Sequence, residues 1–278
     1  MITRGYASTA RGQIHYWESG AGPALVLLAP APRSARVYRR LLPLLGGFRA
    51  LALDTRGFGE SAPPDAHPAM SDYGEDVVRV LDSLEIEKAH LFGLHTGNKI
   101  AAAVAAGWQD RVDRMVLVGR THSIVADQTA RNDAVRASMA ATSTRSSGTD
   151  SLSELLERWA LADDSTDTDS QAVMMLRDEL MDEVASWAGV EPVYAANFAF
   201  DLARALEQVK APTLIIELVT AETDLLGHQA PLLQARMPDC AVLDMEVHER
   251  TLLGEHPEWL AVPVIAFLAG RDPYGTRA

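Results

Sequence analysis

Leu91-Phe92-Gly93-Leu94-His95-Thr96-Gly97-Asn98 is the stretch that decides the fold of this chain. It follows a short apolar run, Ala89–Gly93, and precedes an Ala-rich segment, Asn98–Ala106, closed by Gly107. The first reads as a buried strand and the second as a helix. The chain must turn sharply between them. Glycines two positions either side of His95 suit such a turn, because Cβ atoms there would collide with neighbouring backbone. The central side chain is then held at the carboxyl end of a strand, beside a helix N-terminus. Backbone of this kind is strained, and packing alone gives no reason to keep it. His95 is therefore read as a functional residue.

The pattern extends in both directions. Two short strands, Gly5–Ser8 and Gln13–Glu18, open the chain. After the turn Ser19-Gly20-Ala21-Gly22-Pro23 comes a strand buried on both faces, Ala24–Ala29. A helix is expected over Ala35–Leu45, a strand over Phe48–Leu53, and a Gly- and Pro-rich loop over Thr55–Pro68. Ser71 is the expected N-cap of a helix carrying Tyr73, Val77, Val80, Leu81 and Leu84 at helical spacing. Met115–Gly119 is another strand. Alternating strands and helices imply a parallel sheet covered on both faces. From Arg120 to about Leu206 the alternation gives way to polar loops and amphipathic helices, around Ser151–Leu161, Gln171–Leu180 and Glu183–Ala188. Strands resume at Pro212–Leu218 and Ala241–Val247, with helices near Gly227–Arg236 and Pro257–Leu268. The segment Ala141–Asp150 is expected to be a mobile loop.

The 278 residues suffice for a large core, and 47% hydrophobic with 23% charged residues is ordinary globular composition. No apolar run approaches the roughly 18 residues that span a bilayer. The N-terminus has no apolar signal core, so a cytoplasmic protein is expected. The single cysteine, Cys240, fits a reducing compartment and reads as a packed strand residue. A net charge of −13 argues against nucleic acid as a partner. No His, Cys, Asp and Glu cluster has metal-ligand spacing, and Gly57 with Gly59 alone is no dinucleotide fingerprint, so neither metal nor cofactor is expected. The expected partner is a small molecule, with the chain a monomer or homodimer.

Gly93-Leu94-His95-Thr96-Gly97 has the form of a nucleophile elbow, G-x-S-x-G, with histidine in place of serine. Asp54-Thr55-Arg56-Gly57-Phe58-Gly59-Glu60-Ser61 matches a D-x-x-G-x-G-x-S loop, and Arg111-Val112-Asp113-Arg114-Met115-Val116-Leu117 is equally typical. On these segments the chain resembles the α/β-hydrolase-fold superfamily from about Gly5 to Leu268, as a divergent member. The resemblance implies an α/β fold with a mostly parallel eight-stranded sheet flanked by helices. It implies a core formed by residues 1–119 and 207–278, with residues 120–206 as a helical cap.

The positions that carry chemistry in that family are altered here. The loop after the third strand, usually His-Gly, reads Ala29-Pro30-Ala31-Pro32-Arg33-Ser34. The acid position after the strand beginning at Pro212 falls on Ala221, with Glu222 and Asp224 nearby. Counting back from Pro257 to the family's histidine gives Arg250, with His248 two residues earlier. The candidate catalytic set is thus His95, Arg250, His248, Asp224 and Glu222. Pro32, Arg33, Leu94, Thr96, Arg120, His122 and Trp187 are candidate substrate contacts. Arg33, Arg120 and Arg250 all fall on loops at the carboxyl ends of strands, where converging arginines would suit an anionic or enolate-like substrate. Trp187 and its aromatic neighbours in the insertion are expected to roof an apolar pocket.

Three functions stay open at this stage. His95 could be the general base of an enzyme, activating water or driving an elimination, cyclisation or isomerisation in a biosynthetic pathway. A helix N-terminus favours the neutral, proton-accepting imidazole such a role needs. The chain could instead be a conventional ester, lactone or epoxide hydrolase whose nucleophile lies elsewhere, at Ser34 or Ser123. Or it could bind a ligand without chemistry.

Overall fold

The structure, a computed structural model, describes residues 1–119, 157, 159–160, 171–219, 230–237, 239–249 and 251–274. Among these residues one sheet of eight strands runs through the molecule in the order β1-β2-β4-β3-β5-β6-β7-β8. The strands are β1 Thr3–Thr9, β2 Gly12–Ser19, β3 Ala24–Leu28, β4 Arg49–Leu53, β5 Ala89–Leu94, β6 Val112–Val118, β7 Thr213–Leu218 and β8 Cys240–Met245. β1 and β2 form an antiparallel hairpin, and β2 also runs antiparallel to β4. Every other pairing is parallel. The mostly parallel sheet flanked by helices is the one the sequence predicts.

The period-two geometry of a strand explains the two cores. In β3, Val26 and Leu28 enter one apolar cluster while Leu25 and Leu27 enter the other. Helices α1 (Met70–Ser83) and α2 (Thr96–Gly107) cover the first face through Tyr73, Val77, Leu81 and Ile100. The second is covered by Tyr38, Leu41 and Leu42 from the segment after β3, and by Leu260, Val264 and Phe267 of the last helix, Pro257–Leu268. Burying each such Leu, Val or Phe contributes about 1.5–3 kcal/mol. Strands buried on both faces read as continuous apolar runs, which is why β3 through β7 were legible in the sequence.

Several boundaries differ from expectation. The helix expected over Ala35–Leu45 is two short 3₁₀ turns, Ala35–Tyr38 and Leu42–Leu44, with Pro43 inside the second. Helix α1 begins at Met70 with Ala69 as its N-cap, so Ser71 lies inside the helix and caps nothing. The Asp72 carboxylate accepts from the Ala69 N–H and serves that end instead. Gly107 is the last residue of α2, which Trp108 closes by donating to the Val104 carbonyl. Between β6 and β7, α3 runs unbroken over Gln171–Ala185 and α4 over Trp187–Ala199, so the split expected after Leu180 falls at Ser186. A short α5, Leu202–Leu206, leads into β7, and α6, Ala230–Gln234, lies between β7 and β8. Cys240 opens β8, a strand residue as expected, and is half-buried. Most of Ser151–Leu161 and all of Ala141–Asp150 lie outside the described residues. No helix among the described residues is long and apolar enough to cross a membrane.

Chain direction reverses at β3. The connection to β4 goes to one side and the connection to β5 to the other. The loops leaving β3 and β5 therefore diverge, opening a crevice at the carboxyl ends of the strands where ligands bind in open α/β sheets.

Candidate functional site

The elbow is built as its glycines require. His95 has φ +48° and ψ −104°, a conformation that L-residues rarely adopt. A Cβ on Gly93 would lie 2.6 Å from the Gly97 carbonyl oxygen, and one on Gly97 would run into the Leu28 carbonyl. Both glycines thus let β3, β5 and α2 approach closely. The turn is pinned to β6. Buried Asn98 donates to the Val118 carbonyl at 2.9 Å and accepts from the Val118 N–H at 3.2 Å. The His95 N–H donates to the same carbonyl at 3.3 Å. A surrounding frame that over-determines the backbone in this way is what allows the strain to persist.

The imidazole of His95 is half-buried and rests on Gly119, the residue after β6. A Cβ on Gly119, whose φ is +74°, would stand 2.7 Å from the His95 Cε1. This glycine therefore leaves the space that the ring occupies. His95 Nε2 meets the carboxylate of Glu249 in a short, charge-assisted hydrogen bond. Burial works against ionisation of Glu249. The His95 hydrogen bond and charge, together with the Arg33 guanidinium, outweigh it and hold the carboxyl below its ordinary value.

Glu249 was not among the sequence candidates. Counting back from Pro257 gives Arg250, with His248 two residues before it. Among the described residues, the side chain that reaches the elbow is the one between them, Glu249. The signal was available: a carboxylate beside the position where the family carries its histidine, opposite a histidine where it carries its serine. His248 itself is exposed, and its carbonyl accepts from the Thr251 N–H. Arg250, Glu222, Asp224, Arg120 and His122 lie outside the described residues, as does the side chain of Trp187. The convergence of three arginines therefore reduces, among the described residues, to Arg33.

The remaining candidates have defined places. The Leu94 side chain is fully buried in the second core. Thr96 is buried at the first turn of α2, whose leading N–H groups have no partner within the helix. The Pro32 carbonyl accepts from the Ser186 hydroxyl at 2.8 Å. Pro30 and Pro32 have no N–H to offer, while the first turn of α2 carries N–H groups without helical partners. Arg33 donates to Asp182 at 3.2 Å and lies 3.3 Å from Glu179, both on α3. Asp182 is buried and also accepts from the backbone N–H and the hydroxyl of Ser34. A buried carboxylate with this many donors is well satisfied. It fastens α3 to the loop after β3, and it occupies the Ser34 hydroxyl.

The D-x-x-G-x-G-x-S loop is a brace rather than a chemical site. Buried Asp54 accepts from the Ala35 and Glu60 N–H groups and pairs with His15 Nδ1 at 2.7 Å. It thereby ties together the segments that follow β3 and β4.

Comparison with known proteins agrees with this architecture. The family model of the alpha/beta hydrolase fold matches residues 23–217. Mouse bifunctional epoxide hydrolase 2 is 32% identical over 119 residues, covering 40% of this chain and 21% of that protein. The 2-hydroxymuconate semialdehyde hydrolase of Pseudomonas sp. strain CF600 is 38% identical over 122 residues, covering 41% of each chain. The match thus spans about two fifths or less of these curated relatives. Among solved structures, a hydrolase from Pseudomonas aeruginosa PA01 superposes with a TM-score of 0.73 at 25% identity, covering 95% of this chain and 98% of that one. The epoxide hydrolase CorEH superposes with a TM-score of 0.75 at 20% identity, covering 97% and 99%. With an eight-stranded sheet, a strained elbow at the carboxyl end of β5 and a matching family model over most of its length, this chain belongs to the alpha/beta hydrolase fold family.

Proposed function

We propose that this chain is an enzyme in which His95 acts as a general base oriented by Glu249, on a small, partly apolar substrate that is anionic or carries a carbonyl. The observation that carries the reading is the contact between His95 Nε2 and the Glu249 carboxylate at a strained elbow. An ionised carboxylate on Nε2 favours the tautomer with its proton there, and places the lone pair on Nδ1. That nitrogen takes a proton from water or from a carbon acid, while Glu249 stabilises the imidazolium that forms. Negative charge developing on a carbonyl oxygen is met by the N–H groups that open α2. Two outcomes follow from the same proton transfer. Activated water gives hydrolysis, and a carbanion or enolate gives elimination, cyclisation or isomerisation. We assign residues 1–119 and 207–278 to the catalytic core and 120–206 to a helical cap, in a cytoplasmic monomer or homodimer. The single cysteine and the net charge of −13 support that setting.

The reading differs from a serine hydrolase in one directly testable respect. A fluorophosphonate phosphonylates a serine only where a base activates it. The Ser34 hydroxyl, donated at 2.5 Å to Asp182, has a carboxylate partner and no imidazole among the described residues. Intact-protein mass spectrometry after incubation with a fluorophosphonate is expected to show no adduct. Stoichiometric labelling of Ser34, Ser123 or any other serine would establish a conventional nucleophile and overturn the proposal.

A further inference from the structure

Arg33, Arg36, Arg39 and Arg40 fall within eight residues of a chain whose net charge is −13. The structure gathers all four around one cavity of about 270 Å³ that shares Glu249 in its wall. Their neutralisation is uneven. Arg33 is held by Asp182 and Glu179, and Arg39 lies 3.2 Å from Asp178. Arg36 approaches Asp178 and Asp182 only at 3.9 and 3.7 Å, beyond hydrogen-bond reach, and its Nε is sealed from solvent with no hydrogen-bond partner among the described residues. Arg40 donates to the Gly254 carbonyl at 2.8 Å and has no carboxylate within 4.0 Å among the described residues. The guanidiniums of Arg36 and Arg39 stand 5.9 and 5.6 Å from the ring centre of Trp17, within cation–π range. Asp178 and Glu179 line the cavity beside the arginines, and the remaining wall is apolar, with Val37, Leu253, and Met174 and Met175 from α3.

We propose that this cavity is a binding subsite for a small carboxylate with an apolar body, and that it holds the anionic end of the substrate of the neighbouring His95–Glu249 pair. The proposal rests on the functional reading above for its link to catalysis, while the binding itself does not. Two incompletely paired guanidiniums in a partly desolvated cleft match a planar carboxylate. The methionine and leucine walls take the apolar body. Repulsion from Glu249 turns the ligand's carboxylate toward Arg36 and Arg40, so its body faces the carboxylate that His95 touches.

Phenylacetate and its neutral isostere phenylacetamide separate charge from shape. Isothermal titration calorimetry on the full chain is expected to show one saturable site for phenylacetate, at least about tenfold tighter than for phenylacetamide. Arg36→Gln and Arg40→Gln are each expected to weaken it by about tenfold. The wild-type affinity should also fall as salt is raised from about 10 to 200 mM, a readout that needs no variant. His95→Gln, whose amide can still donate to Glu249, is expected to lose turnover while keeping the preference for phenylacetate over phenylacetamide, so loss of turnover and loss of this subsite are distinguishable. Equal affinity for the two compounds, no saturable phenylacetate binding in the millimolar range, or affinity indifferent to salt would overturn the proposal.

Discussion

Replacing His95 with alanine is expected to lower kcat for the substrate that the wild type turns over by about 10²–10⁴-fold, with the fold and melting temperature retained. The size follows from the general-base role proposed for His95, and the retained fold from a side chain that is half-exposed and supports little of the core. Glu249→Gln should fall in the same range. A glutamine amide can donate to Nε2, which turns the imidazole to the wrong tautomer and leaves its developing charge without an anion. Because the two residues act as one unit, the double variant should be little worse than His95→Ala alone. His95→Ser is the discriminating control. It restores the family's nucleophile but faces the Glu249 carboxylate, a weak base, so it should stay as inactive as alanine. Steady-state kinetics of the four variants, with melting curves alongside, measure all of this. Full activity in His95→Ala and His95→Ser would remove His95 from the chemistry.

A second large effect lies one helical turn beyond the elbow. Lys99 on α2 is 1% exposed, and its ammonium donates to the Asn197 carbonyl on α4 at 2.6 Å. Burial lowers its pKa from 10.5 to about 7. The sign of the consequence follows from proton counting. Between pH 7 and 10.5 the unfolded chain binds a proton that the folded chain does not, so this group makes stability rise with pH through that window. Below about pH 7 the penalty for burying the charge is complete. Lys99→Met removes the penalty and leaves one carbonyl unpaired, a cost of about 1–3 kcal/mol. The variant is therefore expected to be more stable than the wild type at pH 6 by roughly 1–3 kcal/mol, with the difference shrinking by about 2–3 kcal/mol at pH 9. Urea unfolding at the two values tests it. A lysine that contributes equally at both would show that its ammonium is solvated.

The fold was legible because its signals are local. The apolar runs of β3, β5 and β6, the flanking glycines of His95 and the Asp54 loop each announce themselves within a few residues. The site was legible only on one side. His95 stands at a position that backbone geometry singles out. Glu249 is delivered by a loop 154 residues away, one residue before the position that counting back from Pro257 reaches. The arginines at 33, 36, 39 and 40 were visible only in part, because their meaning depends on α3 bringing Asp178, Glu179 and Asp182 against them unevenly. Boundaries failed where tertiary contacts override propensity. Ala35–Leu45 reads as a helical stretch, yet Ser34 and Asp54 anchor its start and Pro43 stands in its last, separate turn.

Whether Glu249 sets the proton of His95 can be tested without knowing the substrate. In protein labelled with ¹⁵N-histidine, comparison with His95→Gln assigns the His95 ring nitrogens. At a pH where the ring is neutral, the proton is expected on Nε2, with an unprotonated, pyridine-like signal at Nδ1, and Glu249→Gln should shift that balance. A proton resident on Nδ1, or a tautomer mixture unchanged by Glu249→Gln, would contradict the account.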